Sequence, residues 1–193
     1  MNIWHPFERI PDGWPMLAAF VVLLALAAFT AFKAKADLKT PEAPNRAISL
    51  ELAGTERQAK KIIGSWDREG MRDEAYRHLR WDNLFIPCYS TLAALVCIMA
   101  ARAFFRYWWS CEPLYSVALI VAWLPWAAGL SEYVENVSMY FMVGGFSGEA
   151  LPRAGWLGAA VKFVIMIPVT AYTLFGLAAY VAKWVSGGLK PAG

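Results

Sequence analysis

The chain has 193 residues, of which 59% are hydrophobic and 17% charged, against about 45–50% and 25% in ordinary globular proteins, which argues against a simple water-soluble domain. The net charge is +3, but the cations are interleaved with acids, which excludes a polybasic nucleic-acid arm. With two histidines and three cysteines in no CxxC spacing, paired haem ligation and disulfide scaffolds have no candidates.

Four apolar stretches, 15–33, 84–105, 113–131 and 157–182, are each long enough at 1.5 Å per residue to cross a hydrocarbon core of about 30 Å. They predict an all-α, polytopic membrane four-helix bundle forming a single membrane domain over residues 1–193. Trp4, Trp14, Tyr107, Trp108, Trp109, Trp156 and Trp184 fall at span ends, where amphipathic rings anchor in the headgroup zone. The first span precedes Ala34-Lys35-Ala36, a small-x-small sequence. Its leading residues carry Glu8, Arg9 and Asp12 rather than a cationic run, so it reads as a retained span and not a cleaved signal.

Between the first two spans lie Lys33, Lys35, Lys39, Arg46, Arg57, Lys60, Lys61, Arg68, Arg72, Arg77 and Arg80; Arg9, Arg102, Arg106, Lys183 and Lys190 fall on the opposite side. The positive-inside rule then places this loop in the cytoplasm of a bacterial inner membrane and both termini outside. Within the loop, residues 40–45 read as an extended linker. Ile48, Leu50 and Leu52 alternate with Ser49 and Glu51 in a short strand-like run. Thr55 and Gln58 form a capping box, and Ala59, Ile62, Ile63 and Trp66 recur with helical spacing, which predicts an amphipathic helix. That helix lies on the membrane surface or the bundle base, or else packs on its loop neighbours. Gly70 ends it, and Met71 to Trp81 form a second helix running into span two.

The ionisable residues near the spans converge. Asp82 and Tyr89 share one helical face at the start of span two; Glu132, Glu135 and Asn136 gather on one face at the end of span three; Lys162 sits one turn inside span four. Alternating spans bring these three places to one side of the bilayer. An intramembrane charge costs about 2.5–3.5 kcal/mol on insertion scales, so pairing is expected, with Lys162, Arg80 and Arg153 as partners. Pro87, Pro125 and Pro168 lie one to two turns deeper and would kink their helices around a vestibule. The same residues also read as interfacial charges that snorkel to water. His78 and Asp82 at i, i+4 present two ligand types for a metal, but a lone histidine is thin support, and neither a metal nor a cofactor is assigned.

Ser49 to Thr55, then Trp66, Asp82 with Phe85 and Tyr89, and Trp123 with Glu132, Glu135 and Asn136 form a pattern that resembles a loose group of bacterial four-span membrane proteins. The resemblance implies a four-span fold with a capped loop and implies no activity. In that group an acid, often aspartate, precedes Glu-Asn by three residues; here it is Glu132.

Two functions compete on these residues. One is a non-enzymatic accessory, assembly or small-ligand or ion-binding component, whose carboxylates hold a cation or proton. The other is an enzyme acting on a lipid or isoprenoid at the cytoplasmic leaflet, with Glu132, Glu135 and Asp82 as acid or base. The first is favoured, because no GxSxG, HExxH, GxxxxGK or GxGxxG spacing occurs. The expected partners are the lipid bilayer and, through small residues such as Gly155, Gly158 and Ala159, other membrane proteins or a second copy; nucleic acid is not expected.

Overall fold

The computed structural model describes residues 5–109 and 111–187, without the side chains of Arg106 and Tyr107. The anchoring roles expected of Trp4 and Tyr107, and the outer cations Arg106 and Lys190, lie outside what is described. The described chain is helical throughout and has no strand. A single 3₁₀ turn, Pro6–Arg9, precedes α1 (Trp14–Ala34), α2 (Ala47–Glu51), α3 (Glu56–Arg68) and α4 (Arg72–Ala101). A π-helical turn, Arg102–Trp108, continues α4 and is followed by α5 (Glu112–Val121), α6 (Leu124–Val143) and α7 (Ala150–Val185).

Four helical segments are long and apolar enough to cross a membrane: Trp14–Ala34, Arg72–Phe105, Glu112–Val143 and Ala150–Val185. Three differ from the sequence expectation. The third is broken at Ala122 and Trp123 into α5 and α6. Pro125, the second residue of α6, has no N–H to give the carbonyl four residues back, so Pro125 opens a helix rather than kinking one. Because α6 runs on to Val143, Glu132, Glu135 and Asn136 stand in its middle and not at a span end. Pro87 and Pro168 do lie inside helices, α4 and α7.

The strand-like run at 48–52 is corrected to the helix α2. Ala47, Leu50 and Glu51 are buried while Ile48 and Leu52 are 45% and 47% exposed, an i, i+3, i+4 pattern. With no neighbouring strand to pair its backbone, a five-residue segment satisfies its own hydrogen bonds by coiling. Downstream, Thr55 caps α3 by accepting a hydrogen bond from the Gln58 amide at 3.4 Å. Gly70, at φ +67, takes the left-handed conformation that ends α3.

By compactness the chain divides into two units: Met1–Ala27 with Cys88–Ala128 and Val164–Gly193, and Ala28–Pro87 with Gly129–Phe163. In the first unit Leu95, Ile98, Met99, Leu119 and Val169 belong to a core that also takes Met16 and Tyr180. There α4 and α7 approach so closely that a Cβ on Gly176 would lie 1.9 Å from Ala100 Cβ. In the second unit α3 lays Ala59, Ile62 and Trp66 onto Leu38, Leu50, Leu79, Met139 and Val143. Trp66 Nε1 donates to the Leu38 carbonyl at 2.9 Å and the Thr40 and Ser65 hydroxyls meet at 2.7 Å, so the linker and α3 are fastened together by satisfied buried polar groups.

A buried carboxylate cluster and an adjoining cavity

The candidate site belongs to the second unit. Position 158 of α7 is glycine, and a Cβ there would stand 2.7 Å from the Ser131 carbonyl oxygen and 3.1 Å from Glu135 Cβ. Only a hydrogen side chain permits that approach of α7 to α6. One turn later, Lys162 reaches the face of α6 that carries Glu132 and Glu135. Its Nζ lies 3.2 Å from Glu132 Oε1, and 3.3 and 3.0 Å from Glu135 Oε1 and Oε2. A third carboxylate comes from α2, with Glu51 Oε2 at 3.6 Å. The Lys162 side chain is 12% exposed and that of Glu135 only 1%. Glu135 Oε2 meets the ammonium as an ion pair without hydrogen-bond geometry.

One ammonium thus faces three carboxylates in a place with little water. Lys162 occupies the point on which the carboxylate oxygens converge, and among the described residues no group of three or more His, Cys, Asp or Glu side chains forms a metal-holding arrangement. Asn136, fully buried and next on the same helix, donates from Nδ2 to Asp82 Oδ2 at 2.8 Å and to Asn83 Oδ1 at 3.2 Å; its own Oδ1 is buried without a hydrogen-bond partner. The α4 residue Asp82 is thereby linked to the α6 face expected from the sequence.

The remaining predicted members fall elsewhere. Arg153 is exposed and pairs with Glu149 at 3.9 Å, and Arg80 is exposed and makes no ion pair with the cluster among the described residues. Tyr89 is half-buried and falls in the first unit. His78 does not join Asp82 as a ligand pair: its Nδ1 meets the Ala34 carbonyl at 2.6 Å.

Glu51 is the member that sequence reasoning missed. It also lines a cavity of about 320 Å³, at the small end of ligand-site volumes, together with Lys35, Arg46, Asp82, Ala31 and Phe85. The cavity sits at the end of α1, and its shape is held by α4. Arg77 donates to the Lys33 and Lys35 carbonyls at 2.9 Å each, and His78 takes the Ala34 carbonyl, so side chains of α4 cap the last turn of α1. Arg77 is itself held by Glu74.

A second buried ion pair, also unforeseen, organises the first unit. Arg102, 2% exposed, donates to Asp12 Oδ1 at 2.8 Å and to the carbonyls of Ile10 at 2.9 Å and Glu8 at 2.8 Å. Tyr180 donates to Asp12 Oδ1 at 3.0 Å and Tyr115 to Glu8 Oε1 at 3.0 Å. Beside them His5 is fully buried, stacked on Trp126 at 5.2 Å and edge-on to Trp123. Burial pushes the His5 imidazole below its ordinary value, against smaller opposing effects of the Ala122 backbone and Glu8. This network fastens the N-terminal segment and leaves no cavity beside it among those found, so it is structural.

Comparison with protein-family models, with curated proteins and with solved structures gives no match to this chain, and its function is argued from the cluster and the cavity.

Proposed function

We propose that the protein is a non-enzymatic, multi-pass component of a bacterial inner membrane that binds a small cation at the Glu51–Glu132–Glu135–Lys162 cluster, with the loop at 35–81 in the cytoplasm and both termini outside. The observation that carries this reading is three carboxylates meeting one ammonium out of water. Uncompensated charge in a low-dielectric interior costs several kcal/mol, so a cluster with excess carboxylates gains from a further positive charge. Glu51 gives that charge a route in, because it belongs both to the cluster and to the cavity wall. The cations clustered in the loop support the orientation.

Thermal unfolding of the detergent-purified protein, at constant ionic strength, with sodium, potassium, methylammonium or tetramethylammonium tests the reading. A bound cation present at about a hundred times its Kd stabilises by about 2.7 kcal/mol, or about 5–10 °C in midpoint for a chain of this length. At least one hydrogen-bonding or small cation should give such a shift in the native protein and little in Glu51→Gln. No shift with any cation, or equal shifts in the variant, would overturn it.

A further inference from the structure

We propose that the cavity at the end of α1 seats the headgroup of a zwitterionic aminophospholipid, with its primary ammonium on Glu51 and Asp82 and its phosphate on Lys35 and Arg46. This rests on the cation-binding reading and names the cation. Three features of the cavity select such a ligand. Its lining is mixed in sign: Lys35 and Arg46 supply positive charge, and Glu51 and Asp82 negative. Lys35 makes no ion pair among the described residues, and Arg46 is committed only to an exposed contact with Asp37 at 3.6 Å, of the kind that contributes little and yields to a better anion. Arg46 and Glu51 stand at the two ends of α2, about 7.5 Å apart along a five-residue helix. A phosphate and an ammonium joined by two carbons bridge that interval once a hydrogen bond is added at each end.

The second feature is height. The cavity lies where α1 ends in Lys33 and Lys35, and Lys33 stands over the rings of Phe29 and Trp81 at 5.7 and 5.9 Å. A lysine and an indole at the end of an apolar span mark the headgroup zone of a bilayer. The third is the wall, where Ala31 and Phe85 offer apolar surface to the glycerol end of a lipid. A primary ammonium is selected over a quaternary one because its three N–H donors match carboxylate acceptors. Behind Glu51, the excess carboxylates around Lys162 and the unpartnered Asn136 Oδ1 favour a donor of positive charge.

The test titrates the detergent-purified full chain with short-chain phosphatidylethanolamine, phosphatidylcholine and phosphatidylglycerol, read by native mass spectrometry and thermal midpoint, with methylammonium in parallel. Phosphatidylethanolamine should bind about tenfold or more tightly than the other two, the worth of a charge-assisted hydrogen bond to a buried carboxylate. The preference should vanish in Glu51→Gln. The double variant Lys35→Ala, Arg46→Ala should weaken all three lipids and leave methylammonium stabilisation intact. Competition in the native protein does not depend on any variant folding: methylammonium should raise the apparent Kd of phosphatidylethanolamine and not that of phosphatidylglycerol. Equal affinity for the three lipids, or a preference unchanged by Glu51→Gln, overturns the inference. If methylammonium still stabilises in that case, the cation site stands without the lipid; if it does not, both readings fall.

Discussion

Replacing Lys162 by methionine keeps the length and apolar stem of the side chain and removes its charge, leaving Glu51, Glu132 and Glu135 with no ammonium between them. The Glu135 side chain, 1% exposed, cannot turn to water without separating α6 from α7, which touch at Gly158. Breaking a buried pair on one side costs about 3–5 kcal/mol, because the surviving charge is stranded. For a chain of this length that is a fall in midpoint of about 6–20 °C. The reference is Glu56→Ala, which removes only the exposed pair with Lys60 and should leave the midpoint unchanged within scatter. The triple variant Lys162→Met, Glu132→Gln, Glu135→Gln removes the stranded charges too and should recover most of the loss. Circular dichroism melts of the purified proteins in one detergent measure all of these. A Lys162→Met midpoint equal to that of Glu56→Ala, or a triple variant no more stable than the single one, would refute the reasoning.

Gly176→Ala places a Cβ 1.9 Å from Ala100 Cβ and 2.6 Å from its Cα, so it should cost about 1–3 kcal/mol in thermal unfolding, and Ala100→Gly in the same chain should restore most of it. Arg102→Lys keeps the charge but loses the fork that serves Asp12 and two carbonyls, which should cost about 1.5–3 kcal/mol and speed limited proteolysis between residues 5 and 13. His5 is held below its ordinary value near 6.5, so below that pH the unfolded chain binds the proton first. Stability should therefore fall as pH drops from about 6.5 through the folded value, and the difference in midpoint between the native protein and His5→Phe, followed against pH, should show that loss.

What could be read from the sequence depended on how local the signal was. The four spans were legible because each apolar run is longer than any buried globular helix needs. The spacing of Glu132, Glu135 and Asn136 was legible too, since i, i+3 and i+4 put three side chains on one helical face wherever the helix ends. Lys162 was placed beside them by alternation of span direction alone. Glu51 was missed because five residues cannot distinguish period two from period 3.6 when Ile48, Leu50 and Leu52 alternate; the buried set of Ala47, Leu50 and Glu51 was the weaker signal. The Arg102–Asp12 pair was out of reach because its partners stand 90 residues apart in no shared motif. The extension of α6 to Val143 was missed because a charged triplet was read as the edge of the membrane. In the structure those charges are tolerated inside the helix, since Lys162 meets them there.

The account stands on the convergence of three carboxylates on one ammonium, and solid-state NMR of the protein in lipid bilayers measures that directly. With ¹⁵N in lysine side chains and ¹³C in glutamate carboxyls, and with Lys162 Nζ assigned from Lys162→Arg, dipolar recoupling should connect this nitrogen to three carboxyl carbons. Glu51→Gln should remove one connection and keep the other two. A Lys162 nitrogen with no carboxyl carbon in range, or a pattern that ignores the loss of Glu51, would contradict the account.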